Sequence, residues 1–270
     1  MPYFNIVAET SENTVVTEYE PVKKRSDSYQ SEVALEQEFI RLLCEQGYEY
    51  LPIHTEKDLI ANLRKKLEEL NNYQFSDTEW DDFFKNAVAN PNEHIVEKTR
   101  KIQEDNVQVL TRDDGSSKNI TLIDKKNIHN NRLQVINQYK VNAATGIREG
   151  SLGCVIGTEN GAKHDNRYDV TILVNGLPLV HIELKRRGVA IREAFNQINR
   201  YQRDSFWAGC GLYEYIQIFV ISNGTNTKYY SNSTRRNAEK EHEKRGASKT
   251  KTSNSFEFTC FWADANLSLI

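Results

Sequence analysis

The chain has 270 residues, 38% of them hydrophobic, which suffices for one large domain or two small ones with a buried core. Its formal net charge of −3 excludes a chain that is basic throughout, so any surface for nucleic acid has to be local. No apolar run approaches the roughly 18 residues of a membrane span, and the N-terminus lacks a signal-peptide pattern. We therefore expect a soluble, cytoplasmic protein without a membrane partner. The four cysteines are far apart, which argues against a zinc site.

Helical patterns dominate the first part of the chain after a polar start. Residues 1–30 are polar with β-branched patches, and we expect them to form an extended segment. From Ser31, apolar residues recur at three- and four-residue spacings, which predicts a helix that begins at Ser31 and ends at Gly47. Three further helices are predicted over residues 56–73, 77–88 and 91–103.

The apolar period then changes to two, which indicates β-strands. The stretch "NVQVLTRDDGSSKNITLIDKKN" predicts two strands around a turn, and "NRLQVINQYKV" predicts a further strand of the same sheet. Residues 142–165 are glycine-rich and are expected to form a loop. Their "GTENGAK" does not meet the phosphate-binding pattern GxxxxGK[ST], so we assign no nucleotide role to them.

The last part of the chain mixes both periods. A hairpin, "NRYDVTILVNGLPLVHIELKRRG", is followed by a predicted helix over 189–207 and a buried strand, "YIQIFVISNG". Residues 231–254 have almost no apolar content and are expected to be a mobile polar loop, and "SFEFTCFWA" predicts a last strand. This order predicts an α/β (α+β) domain over residues 31–270, with one mixed β-sheet flanked by helices.

The hairpin carries charges at one end of two apolar strands. In the second strand, Glu183 and Lys185 share a face with His181, whereas Asp169 lies in the first strand. A two-residue loop would place Asp169 opposite Ile182, but a loop of odd length would place it opposite Glu183. Because Pro178 fits a longer loop best, we predict an odd-length loop and a shared face for the two acids.

Two facing carboxylates repel each other unless a cation or a proton lies between them. Mg²⁺ needs only one or two carboxylates, so Asp169 and Glu183 are candidate metal ligands. A bound Mg²⁺ would polarise a phosphate, and Lys185 could orient the attacking water or neutralise developing charge. The spacing alone is equally compatible with a salt-bridge cluster on a half-exposed sheet face.

The predicted helix after the hairpin is locally basic. Arg186, Arg187 and Arg192 belong to a stretch that suits a phosphate backbone, although basic stretches are most often merely solvated. Gln197 and Tyr201 lie four residues apart, hence on one helical face, and could contact a phosphate or position Lys185. Tyr201 also adjoins an apolar stripe, so a role in the core alone remains open.

Together these residues resemble the nuclease domain of the restriction (R, or HsdR) subunit of type I restriction–modification enzymes, a branch of the PD-(D/E)xK superfamily. The similarity is carried by the whole hairpin-plus-helix block, by "SYQSEVALEQEFIRLLCEQGYEY", and by "KTRKIQ", "LIDKKN" and "IQIFVISNGT". It implies a PD-(D/E)xK restriction-endonuclease-like core. The family's catalytic acid falls on Asp169, its ExK pair on Glu183 and Lys185, and its QxxxY element on Gln197 and Tyr201. An acid of the first helix often completes such sites; Glu36 is our choice, with Glu32 next.

The resemblance also implies a function. Such a domain is expected to be a Mg²⁺-dependent endonuclease that cuts duplex DNA after translocation by an ATP-driven motor, together with modification and specificity subunits. This chain contains no Walker A motif, so we expect it to be a fragment that lacks the motor. The alternatives are a catalytically silent module that docks DNA or a partner, and an exonuclease or nickase of the same superfamily.

Overall fold

A computed structural model describes residues 4–9, 15–19, 31–141, 166–206, 208–232 and 255–262, and the structural statements below concern these residues. The predicted loop over 142–165 and nearly all of the predicted loop over 231–254 lie outside them. Within the described part of the chain, no helix is long and apolar enough to cross a membrane.

The predicted helices are present, and polar caps define where several begin. They are α1 (Glu32–Glu45), α2 (Glu56–Asn71), α3 (Asp77–Phe83), α4 (Ile95–Gln103) and α5 (Ile191–Asp204). The Ser31 hydroxyl accepts a hydrogen bond from the Ala34 amide, as expected for an N-cap. Ser76 and Glu79 form a reciprocal capping box at α3, whose end continues as one π-helical turn, Phe84–Val88. Three short 3-10 turns are Ile128–Asn130, Leu212–Tyr215 and Ser255–Phe258.

The strands form one mixed sheet and two small antiparallel pairs. The strands are β1 (Phe4–Glu9), β2 (Val15–Tyr19), β3 (Glu49–Tyr50), β4 (Val107–Thr111), β5 (Ser117–Thr121), β6 (Leu133–Val141), β7 (Asn166–Val174), β8 (Leu177–Leu184), β9 (Ile218–Ser222), β10 (Thr227–Ser231) and β11 (Cys260–Phe261). The main sheet has seven strands in the order β11-β10-β9-β8-β7-β6-β3. Its β3–β6 and β8–β9 pairs are parallel and the others antiparallel, which confirms the predicted mixed sheet.

Two strand predictions were wrong. The β4–β5 hairpin was expected to join the sheet of β6, but it forms a separate pair. The reason is that Leu110 and Ile120 on its inner face are buried in the core beside α2 and α3, while Val109 on its other face is exposed. The stretch "SFEFTCFWA" was expected to be one strand, but it begins as a 3-10 turn and contributes only Cys260–Phe261 to the sheet edge.

Helices cover both faces of the main sheet, so β7 and β8 are central and shielded. On one face, Phe39 and Leu43 of α1 pack against Val170 and Ile182. On the other face, α2 and α5 contribute to a larger core that contains Leu63, Ile198 and Phe219. Since successive side chains of a strand point to opposite faces, the odd-numbered residues of β8 near its end point toward α5.

Candidate active site

The register of the β7–β8 hairpin decides whether the acids meet. The turn consists of Asn175 and Gly176, both left-handed with φ of 51° and 85°, so the predicted odd-length loop was wrong. Leu173 pairs with Pro178 and Ile172 with Val180, which leaves Leu179 as an extra, bulged residue. The bulge produces the one-residue shift that we had ascribed to the loop.

Beyond the bulge, Val170 pairs with Ile182, and the next position places Asp169 opposite Glu183. The shared face predicted for the two acids is therefore confirmed. The turn itself is fixed because the Asn175 side chain accepts from the Arg132 amide and donates to the Leu122 carbonyl. The bulge sets the register, and the buried asparagine anchors the turn.

The two carboxyl groups lie close together in a buried setting. Glu183 is fully buried, and burial raises its pKa to about 7, an effect that Lys185 partly opposes. Burial, followed by repulsion from Glu183, also raises the pKa of Asp169 to about 7. Asp169 Oδ2 accepts a hydrogen bond of 2.9 Å from the Leu184 amide, whereas Glu183 Oε2 is buried without a hydrogen-bond partner. This free oxygen beside a second acid can accept a cation.

Lys185 and His181 flank the Glu183 carboxylate. Lys185 Nζ donates to Glu183 Oε1 at 3.1 Å, and the backbone amide of Lys185 is held by the Ser222 carbonyl. His181 Nε2 lies 3.5 Å from Glu183 Oε2 without a hydrogen bond. Burial lowers the pKa of His181 to about 4, so its imidazole is neutral at physiological pH. Lys185 therefore supplies the cationic contact of the pair.

The first helix brings both candidate acids to the same end of the hairpin. Glu36 is buried and accepts hydrogen bonds from the side-chain amides of Asn137 and Gln138. Burial raises the pKa of Glu36, and the charge of Asp169 adds to this effect, so the two carboxyls are neighbours. Glu32 is exposed and accepts from the Arg186 amide at 3.3 Å. Glu36 is thus the more buried of the two, and both of its carboxylate oxygens are hydrogen-bonded.

Gln197 and Tyr201 are connected, and they lie against the core side of the site. The Gln197 amide donates to the Tyr201 hydroxyl, which donates to the Arg167 carbonyl at 2.9 Å. The Tyr201 ring is buried and packs on Tyr168 with centroids 4.8 Å apart. Burial, with a contribution from the charge of Glu183, raises the Tyr201 pKa above its usual range. Tyr201 is therefore both a core residue and a neighbour of the acid pair.

The three candidate phosphate-binding arginines have different surroundings. Arg186 is exposed directly after the acid pair. Arg187 is half-buried and donates to the Gly224 carbonyl at 3.4 Å. The Arg192 guanidinium lies over the Phe256 ring, 5.1 Å from its centroid. Arg186 and Arg192 are both exposed, and Arg186 is the one that directly follows the acid pair in the chain.

Sequence reasoning missed Asn137 and Gln138 as neighbours of the acids. Both lie in β6, and no spacing within that strand relates them to the charged hairpin or to α1. His181 was placed on the correct face by alternation, but it was given no role. Only the tertiary arrangement brings Asn137 and Gln138 to Glu36.

Metal-binding capacity depends on the donor set. Within the described residues, no group of three or more His, Cys, Asp or Glu side chains is arranged to hold a metal ion. Mg²⁺, however, is commonly bound through one or two carboxylates, with water and substrate oxygens in its other positions. Asp169 and Glu183 fit that requirement, since both are carboxylates at one end of the sheet and one oxygen is unpartnered.

The chain is similar to one protein family and to several of its curated members. A family model described as the type I restriction enzyme R protein N terminus matches residues 29–238. The EcoprrI type I restriction enzyme endonuclease subunit of Escherichia coli is 45% identical over 265 residues, which is 98% of this chain and 74% of that protein. Endonuclease subunits of Staphylococcus saprophyticus and Staphylococcus aureus MSSA476 are each 38% identical over 76% of this chain, which covers 20% of their length.

The family match covers the helix α1, the charged hairpin and the helix α5 together. It thus includes every residue of the candidate site, from Glu32 to Tyr201. The chain spans only about a fifth of the staphylococcal relatives, so the activities of those whole proteins are not thereby assigned to it. The chain belongs to the family of type I restriction enzyme R protein N termini.

Proposed function

We propose that this region is a metal-dependent DNA endonuclease domain that hydrolyses phosphodiester bonds of duplex DNA. The observation that carries the proposal is the buried pair Asp169 and Glu183. The two carboxyls lie opposite each other, their pKa values are both raised to about 7, and Glu183 Oε2 has no hydrogen-bond partner. A buried pair of acids costs stability unless a cation or a proton lies between them, and acids with pKa values perturbed in this way cluster at functional sites.

Asp169 and Glu183 would hold the divalent cation, for which Mg²⁺ is our candidate, and Glu36 would add negative charge from α1. When bound, the cation would polarise the scissile phosphate and lower the pKa of an attacking water. The protein's own contribution is orientation. Asp169 is fixed by the Leu184 amide, and Glu183 Oε1 is fixed by Lys185 Nζ, so Glu183 Oε2 is left to accept from a ligand.

Lys185 would act on the phosphate. Its ammonium lies 3.1 Å from Glu183 Oε1, close enough to neutralise charge that develops on a phosphate bound at the pair. Arg186, exposed beside it, would contact the DNA backbone without reading sequence. Gln197 and Tyr201 would support the floor of the site through their contact with the Arg167 carbonyl.

In this proposal the domain acts within a larger enzyme. Its partners would be DNA and the modification and specificity subunits, and sequence recognition would belong to those subunits. ATP would be used by a motor that follows this region in the full-length R subunit and delivers DNA by translocation. We place this complex in the cytoplasm, where its DNA substrate would be found.

A competing function is a docking module that binds DNA or a partner and performs no chemistry. Asp169→Ala, Glu183→Ala and Lys185→Ala should each abolish DNA cleavage by the reconstituted full-length enzyme while its ATPase activity remains. Asp82→Ala, which removes an exposed acid of α3, is the matched control and should leave both activities unchanged. If all three variants still cut DNA, the nuclease proposal is wrong, and a loss of DNA binding alone would favour the docking module.

The same reconstituted enzyme distinguishes cutting modes. Endonuclease action should linearise covalently closed circular DNA, whereas a nickase would stop at open circles and an exonuclease would need an end. Linear product that depends on Mg²⁺ and on Asp169 is the expected result.

A further inference from the structure

Gln138 adopts an unusual backbone conformation within a regular strand. Its neighbours in β6 are paired, Asn137 with Val170 and Tyr139 with Tyr168, so Gln138 lies opposite Asp169. Its φ is 53°, in the left-handed region that residues with a long side chain rarely adopt. A strained residue persists only where the surrounding structure imposes it, and such residues cluster at functional sites.

The side chain of Gln138 shows what this conformation achieves. Its amide donates to Glu36 Oε2, while the amide of Asn137 donates to Glu36 Oε1, so the carboxylate is gripped at both oxygens. Consecutive residues of a regular strand point to opposite faces, and only a local deviation lets both reach one group. Asn137 is itself fixed, because its side chain accepts from the Tyr50 hydroxyl at 3.0 Å.

The hydrogen-bond donors at the Glu36 carboxylate are neutral amides. Two neutral amides orient a carboxylate without cancelling its charge, whereas an ion pair would neutralise it. Glu36 is buried and lies near Asp169, whose charge disfavours its own. Holding the Glu36 carboxylate beside Asp169 serves a ligand that carries positive charge.

We propose that Asn137 and Gln138 are positioning residues of the active site: their carboxamides hold the Glu36 carboxylate beside Asp169 for a divalent cation. The left-handed backbone of Gln138 is what brings the second amide to Glu36. This inference rests on the proposed metal-dependent function. Asn137 and Gln138 of β6 would not contact the cation themselves and would act on it only through Glu36.

The test uses Gln138→Gly, because glycine adopts positive φ freely and lacks the amide. Mn²⁺ binding measured by calorimetry should weaken about tenfold or more, as for other residues that orient metal ligands. The melting temperature in EDTA should stay close to that of the wild type, because relief of the positive φ offsets the hydrogen bond lost at the buried Glu36 carboxylate. Asn72→Gly is the matched control: Asn72 has φ of 46° at the end of α2, away from the acids. It should leave Mn²⁺ affinity unchanged.

A double-mutant cycle tests whether Gln138 acts through Glu36. Glu36→Gln alone should weaken Mn²⁺ binding, and adding Gln138→Gly should cause no further loss, since the group that Gln138 positions has already changed. Independent, additive losses would overturn the inference.

Asp169→Asn separates failure of this inference from failure of the proposed function. If Asp169→Asn binds Mn²⁺ as tightly as the wild type, the metal site itself is wrong. If Asp169→Asn abolishes binding but Gln138→Gly does not weaken it, only the positioning role is overturned. A Gln138→Gly protein that melts far below the wild type in EDTA would also overturn it, because Gln138 would then serve folding.

Discussion

Replacing Asp169 by asparagine should make the metal-free protein more stable at neutral and alkaline pH. Asparagine keeps the shape of aspartate and the oxygen that accepts from the Leu184 amide, but it carries no charge. The stabilisation follows from the pKa of Asp169, which burial and Glu183 raise from 3.8 to about 7 in the folded state. The folded protein therefore opposes ionisation of this group.

The magnitude follows from linkage. One pKa unit corresponds to about 1.4 kcal/mol, so a rise of roughly three units corresponds to about 4 kcal/mol. Part of this energy comes from the interaction with Glu183 and is shared between the two acids. We therefore expect the variant to gain about 2–4 kcal/mol in free energy of unfolding. Because the folded-state pKa is raised, the folded protein holds more protons than the unfolded chain. The wild type should therefore lose stability as pH rises from about 4 to 7, and the loss should be complete above that range.

Urea unfolding in EDTA, at about pH 8 and about pH 4, measures the effect. The advantage of Asp169→Asn should be large at the higher pH and small at the lower, which lies near the unfolded-state pKa of 3.8, because there the wild-type acid is protonated in the folded state and partly protonated in the unfolded chain. Excess Mg²⁺ should then stabilise the wild type but not the variant. Asp82→Asn, on the exposed surface of α3, is the control and should show neither effect. A variant less stable than wild type at pH 8, or an advantage independent of pH, would refute the reasoning.

Two further predictions concern stability outside the acid pair. Gly176→Ala should destabilise the fold more than Gly115→Ala. Both glycines have positive φ, a conformation that costs alanine about 1–2 kcal/mol. Only at Gly176 would the new Cβ also lie 2.6 Å from the Leu63 backbone. Equal losses in urea unfolding would contradict the register of the hairpin. Glu214→Gln should cost about 3 kcal/mol, because it leaves the buried Lys98 ammonium without a counter-charge, with only neutral oxygens as its hydrogen-bond acceptors. The double variant with Lys98→Met should recover part of that loss of stability in thermal melts. A double variant less stable than Glu214→Gln alone would argue against the buried ion pair.

The amino-acid sequence by itself determined the elements whose signals are local. Apolar spacing predicted the helices, and Ser31 predicted where α1 begins, because helix periodicity and capping involve residues a few positions apart. Alternation predicted that Glu183 and His181 share a face of β8. The family resemblance, confirmed by the match over residues 29–238, depended on the same stretches.

The tertiary structure alone decided how these elements meet. Register depends on the turn and on any bulge, and the extra residue at Leu179 brought Asp169 opposite Glu183 although the turn has two residues. The β4–β5 hairpin left the main sheet because its apolar face packs on helices far away in the sequence. The grip of Asn137 and Gln138 on Glu36 joins residues about a hundred positions apart and requires a positive φ, which no local pattern predicts. Local sequence patterns and the family resemblance thus identified the acids, and long-range packing brought them close together.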